Sequence, residues 1–466
     1  MAYFESIMAS GFRDDRRAHV AAVAGPLARD CEIEELGLWA DAGDIAPMAR
    51  RLAETPCDLL LLVPTMATPP AEIARLAAGL DVPVVIACAH ELSRVTDAYD
   101  MRELCRHSTS VGATMLGAML RRIPGAPMPT LVAGFLDDPD FHARLASALE
   151  AALLAREMRG LRVGRLGPPQ PGYDHVGLSN EEAALGGVEI VDIPLERWQA
   201  ANAAVRPPAI EAFREEQLPR HLPRQTRWEA TEDLDRAIRQ ALALDALAEE
   251  EALACGSLAC RGAFGVAMPG GSLGCLATSL MTGSGRPFSA TGDLVTAVAM
   301  HIGKRLGGAT LYCELDAVDR ARDAFLVANT GEADFAWCPP GGRASIRPAA
   351  AHSGREVPGV VLEHDLAAGP ATMLGVVPDL EAEAFRVIAL EGDVPDDPAR
   401  TALKITQGWF STARRPALSA FEAWAEAGAT HHGALSRGAL GEAAGWLARE
   451  AGYRITRIGS EGARHD

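Results

Sequence analysis

Two continuous apolar runs close together constrain this chain more than any other feature. CDLLLLVPT (Cys57 to Thr65) and VPVVIACA (Val82 to Ala89) flank PAEIARLAAGL, whose apolar residues recur at helical spacing. A strand apolar on both faces must be covered on both faces, and a helix between two such strands supplies the crossover of a parallel pair. The run MPTLVAGFL (Met128 to Leu136), followed by the helical HARLASALEAALLAREMRG, extends the same pattern. These pieces predict an open, Rossmann-like α/β domain over residues 1–160.

LRVGRLG (Leu161 to Gly167) and GVEIVDI (Gly187 to Ile193) read as strands of a second α/β domain, with the loop PPQPGYDHVG after the first. Later, GRPFSATGD leads into a helix, LVTAVAMHIGKRL, and then a strand, ATLYCEL, which places this domain at 161–316. From there short strand-like pieces (AFLVANT, ASIRPA, GVVLEHDL, TMLGVVP, FRVIALEGDV) alternate with Gly, Pro and Asp. That spacing suggests antiparallel strands in a barrel or sandwich over 317–466, closed by the helix LGEAAGWLAREAG and the strand YRITRI. The expected fold class is α/β: two Rossmann-like open domains followed by a β-rich, antiparallel barrel-like domain.

With 48% apolar and 23% charged residues the composition is that of a globular protein. A formal charge of −18 opposes a nucleic-acid surface and suits small-molecule chemistry with bound cations. No uncharged apolar stretch of about 18 residues is present, so a membrane span is not expected. The start, MAYFESIMASGFRDDRRAHV, lacks the pattern of a signal peptide. Nine cysteines without a C-x-x-C pair read as reduced thiols, so the expected location is cytoplasmic.

The chemistry-bearing residues are few. GSGRPFSATGD (Gly283 to Asp293) has the look of a phosphate loop but lacks its Gly-Lys-Ser/Thr ending. A helix begins at Thr291-Gly292-Asp293, where Thr291 suits the N-cap and Asp293 the positive helix end. The same helix start can instead present polar groups to a substrate. Glu314 closes an otherwise apolar strand, a place where open α/β sheets put ligand-binding groups. Asp316 and Asp319 read as turn residues, and Asn329 sits at the end of another strand. Cys313 is a nucleophile only if exposed. Near the C-terminus, EAWAEAGATHHGALS holds His431 and His432 in a turn between helical stretches. Imidazole and carboxylate together suit a divalent cation such as Mn²⁺ with open positions for substrate hydroxyls.

The order of these pieces resembles the L-fucose isomerase and L-arabinose isomerase superfamily. The similar segments are CDLLLLVPTMATPP with VPVVIACAHEL, STSVGATMLGAMLRRI, RVGRLGPPQPGYDHVG, SATGDLVTAVAMHIGKRLGGATLYCELDAVD and EAWAEAGATHHGALS. The resemblance implies metal-dependent aldose–ketose isomerisation of a sugar or sugar derivative by an ene-diol route, in a homotrimer or homohexamer. It implies a metal held by Glu314 and His432, with His431 as the near alternative. Thr291 occupies the place of the first acidic ligand, so Asp293, two residues on, becomes its substitute as ligand and catalytic group beside Glu314. Thr291, Asn329 and His431 become substrate-binding candidates, and Val111 sits near the substrate-contacting His of the arabinose branch. The alternatives are a lyase or hydrolase of a polyhydroxylated substrate on the same scaffold, or a non-catalytic sugar-binding protein.

Overall fold

The structure is a computed structural model that describes residues 11–29, 31–39, 42–349, 357–412 and 414–459. The chain divides into two compact units, 1–156 with 449–451, and 157–448 with 452–466. It is a mixed α/β protein with parallel sheets and a closed antiparallel barrel. Among the described residues, no helix is long and apolar enough to cross a membrane.

The first unit holds a three-stranded parallel sheet, β1 (Leu60–Leu62), β2 (Val84–His90) and β3 (Thr130–Phe135), in that order. The helices α1 (Ala71–Ala78) and α2 (Thr109–Leu120) connect them. The apolar run at β2 is explained by its position: Val84 to Ala89 are all buried at the sheet centre. Ile73, Ala74 and Ala77 of α1 and Leu116 and Leu120 of α2 pack into the same core as Val84 and Ile86.

The second unit contains a four-stranded parallel sheet with the order β5-β4-β6-β7. Its strands are β4 (Arg162–Leu166), β5 (Glu189–Asp192), β6 (Cys255–Leu258) and β7 (Phe288–Ala290). β4 pairs with β5 on one side and β6 on the other, so the strand order reverses between β4 and β6. Outside the carboxyl ends at such a reversal, open α/β sheets form their binding crevice.

The barrel is formed by β8 (Thr310–Asp319), β9 (Ala324–Ala328), β12 (Gly369–Asp379), β13 (Ala384–Val394), β14 (Gln407–Ser411) and β15 (His432–Arg437). Ladders run β12-β15-β8-β9-β14-β13, and the β12–β13 pairing closes the ring. β16 (Arg454–Ile458) adds to β13 in parallel, and β10 (Ala344–Pro348) pairs separately with β11 (Val360–His364). Leu311, Cys313, Phe325, Val327, Met373, Ile388, Phe410 and Leu435 share one buried core with Trp337 and Trp424. Between the parallel sheet and the barrel lies α3 (Leu294–Gly307), adjacent to β6 and β7 as well as β12 and β15. A helix enclosed between two layers is largely apolar, and Leu294 to Gly303 are all buried, with Thr296 and His301 the polar members.

Three local expectations change. β8 does not stop near Glu314; it continues to Asp319 through a bulge between Leu315 and Ala317. Leu315 and Val318 pack against the barrel core, and this carries the strand through Asp316, the residue expected to end the domain. His432 is the first residue of β15 rather than a turn residue; only His431 precedes the strand. The helix N-cap is Asp293, not Thr291. Thr291 and Gly292 both have left-handed backbone (φ 61° and 81°), which displaces the cap by two residues.

Candidate metal centre

β8 and β15 run antiparallel with Glu314 directly opposite His432. Opposed residues on a ladder share a face, and residues two apart on one strand do too, so Tyr312, Glu314 and His432 project together. His432 Nε2 lies 3.2 Å from Glu314 Oε1. On its other side His432 Nδ1 lies 2.7 Å from Asp293 Oδ2. Asp293 is 0% exposed, and its Oδ1 accepts from the backbone N–H of Thr296 at 2.8 Å, which fixes the carboxylate as the α3 cap. The Tyr312 hydroxyl is 2.8 Å from His432 Nδ1, 3.3 Å from Asp293 Oδ2 and 3.2 Å from Thr291 Oγ1.

Electrostatics follow from this arrangement. Burial opposes charge on His432, but its hydrogen bonds to Asp293 and Glu314 outweigh that and lift its pKa to about 9. The hydrogen bond from His432 holds the Glu314 carboxyl below the usual range, so Glu314 is ionised at neutral pH. Burial and the neighbouring His432 charge lower the pKa of His431. Burial, followed by the Asp293 charge, pushes the Tyr312 phenol well above its ordinary value, so it stays a neutral donor.

His431 lies at the solvent side, its ring centroid 3.8 Å from that of His432. Glu314, His431 and His432 each direct one ligand atom into a space where all three lie within 4.8 Å of one another. Two imidazoles and one carboxylate suit a first-row transition ion, Mn²⁺ among them, better than Mg²⁺ or Ca²⁺, which prefer all-oxygen shells. Glu314 remains about one-third exposed (35%), so its carboxylate is open to solvent on one side.

The expected residues thus divide. Glu314, His431 and His432 converge. Asp293, expected as a ligand, sits behind His432 with both oxygens engaged, because the cap holds it there. Thr291 meets the cluster through the Tyr312 hydroxyl. Asn329 follows β9, and among the described residues no hydrogen bond joins it to the cluster. Cys313 is 0% exposed and burial pushes its thiol up to about 12, which removes it as a nucleophile.

Sequence reasoning missed Tyr312, Tyr173 and His175. Tyr312 carried a readable signal, since it stands two residues before Glu314 on a strand. Tyr173 and His175 belong to the loop after β4, at the order reversal of the sheet, where His175 Nε2 reaches His431 Nδ1 at 3.1 Å. Neither a protein-family model nor a curated protein matches this sequence.

Proposed function

We propose that the chain is a divalent-metal-dependent enzyme that shifts a proton between adjacent carbons of a hydroxylated carbonyl substrate, the aldose–ketose isomerase class. The observation that carries this reading is the convergence of Glu314, His431 and His432, with His432 anchored from behind by Asp293. Bound there, a transition ion supplies Lewis-acid polarisation of neighbouring carbonyl and hydroxyl oxygens. Glu314, ionised and partly exposed, is the base that takes the proton from the hydroxyl-bearing carbon beside the carbonyl and returns it to the former carbonyl carbon, while the hydroxyl proton of the first carbon passes to the former carbonyl oxygen. Asp293 fixes the ring of His432. The buried Tyr312 lies against the inner side of His432, with the Thr291 hydroxyl in hydrogen-bond contact with its phenol. Elemental analysis of purified protein after Mn²⁺ supplementation tests the reading. About one ion per chain in the wild type, lost in His432→Ala, supports it, and an aldose panel then tests the reaction; a wild type that stays metal-free refutes it.

One observation favours a second reading. His432 is protonated beside an ionised Glu314, an acid–base pair that can pass protons to and from a substrate without a metal. That chemistry belongs to a lyase or hydrolase of a polyhydroxylated substrate. Activity that survives exhaustive chelation and fails in His432→Ala would select it.

A further inference from the structure

The two imidazoles of the cluster have matching surroundings. His432 has its Nδ1 against Asp293 Oδ2 at 2.7 Å, which leaves Nε2 toward Glu314, with the Tyr312 hydroxyl 3.1 Å from it. His431 has its Nδ1 against His175 Nε2 at 3.1 Å, which leaves its own Nε2 as the free ring nitrogen. A metal-binding histidine characteristically donates its second N–H to an outer acceptor, which sets the tautomer and the ring plane. Asp293 fills that role for His432. Given the metal reading above, on which this inference rests, we propose that His175 fills it for His431. His175 is then a positioning residue of the metal centre, and the loop after β4 is part of that centre.

The tautomers are consistent. For His431 to offer a lone pair at Nε2, its proton must sit on Nδ1 and be donated to an acceptor. His175 accepts it at Nε2 when its own proton is on Nδ1. No proton is gained or lost in the pair. Imidazole is a weaker acceptor than carboxylate, so this bond contributes less than the one from Asp293.

The loop that carries His175 is anchored at its two ends and largely exposed between them. Gly292 lies so close to Pro168 and Pro169 that a Cβ there would come within 2.5 Å of the Pro169 nitrogen and 2.6 Å of the Pro168 oxygen. At the far end Ser179 forms a capping box with Glu182 at the start of the helix Asn180–Leu185. Between these anchors Tyr173 stacks on His175 with ring centroids 5.9 Å apart and lies 5.6 Å from the His431 ring. Tyr173 is 45% exposed, so this aromatic pair is held over His431 from the solvent side. A cation that fixes His431 therefore also fixes His175, Tyr173 and the backbone between Pro169 and Ser179.

The experiment uses full-length protein, titrated with MnCl₂ by calorimetry and followed by hydrogen–deuterium exchange of the 169–179 peptide. His175→Ala is expected to bind Mn²⁺ about tenfold more weakly than wild type, the low end of the cost of losing an outer-shell partner. His175→Gln, whose amide oxygen can accept the same proton, is expected to recover most of the loss. Mn²⁺ is expected to slow exchange of the loop in the wild type and in His175→Gln, but not in His175→Ala. Equal Mn²⁺ affinity and equal loop protection in wild type and His175→Ala would overturn the role of His175 and leave the metal centre standing. Failure of the wild type itself to bind Mn²⁺ would overturn both.

Discussion

If His432 carries a proton at neutral pH, metal binding must expel it. With a pKa of about 9, His432 is charged and bonded to both Asp293 and Glu314, so at pH 7 about one molecule in a hundred has the neutral ring a metal needs. Removing that proton at pH 7 costs about 2.7 kcal/mol, two units at roughly 1.4 kcal/mol each. Apparent affinity for Mn²⁺ is therefore expected to rise about tenfold per pH unit from about pH 7 up to about pH 9, and then to level off. The lowered pKa of His431 keeps it neutral over this range, and Glu314 is already ionised, so neither adds to the slope. Calorimetry in two buffers of different ionisation enthalpy reads the same event directly, with about one proton released per ion at pH 7. An affinity flat between about pH 7 and 8, or binding without proton release, would refute the imidazolium network.

The network also makes a stability prediction for the metal-free protein. A histidine whose folded pKa is raised stabilises fully below the unfolded value of about 6.5 and loses that contribution as pH rises through about 9. Thermal melts of chelated protein should therefore fall between those values, and His432→Gln should remove that fall; an unchanged profile in the variant would contradict it. Gly292→Ala forces a Cβ into the backbone of Pro168 and Pro169 at φ 81°, and should lower unfolding free energy by about 1–3 kcal/mol, measured in urea. A change below about 0.5 kcal/mol would show that this contact is not a constraint. Tyr312→Phe removes the hydroxyl shared by Thr291, Asp293 and His432 and should cost about 1–3 kcal/mol; an equally stable variant would mean those groups do not depend on the phenol. Cys88, Cys105, Cys255, Cys260, Cys275 and Cys313 are buried, so a disulfide reagent should leave them unmodified in the native protein while the half-buried Cys31, Cys57 and Cys338 react first. Rapid reaction of more than these three would contradict the packing.

What the sequence shows and what it hides follow from distance along the chain. The run at Val84–Ala89 announces a buried parallel strand because burial on both faces leaves a local mark. Glu314 and His432 stand out singly as a carboxylate on an apolar strand and a histidine in a distinctive turn. That they face each other depends on the register of β8 against β15, which no local pattern encodes. The exchange of Thr291 for Asp293 as cap was equally hidden, since the left-handed turn at Thr291-Gly292 is held by Pro168 and Pro169, more than a hundred residues earlier. His175 was invisible for a related reason: a histidine in a Pro- and Gly-rich loop acquires meaning only from the ring it meets.

The proposed metal centre stands or falls on one divalent cation shared by Glu314, His431 and His432. Diffraction from crystals grown with Mn²⁺, recorded at the manganese absorption edge, tests it most directly. One anomalous peak is expected roughly 2 Å from a Glu314 oxygen and one nitrogen each of His431 and His432, with His432 still bonded to Asp293. A protein with no such peak, and with His432 still bridging Asp293 and Glu314, would contradict it.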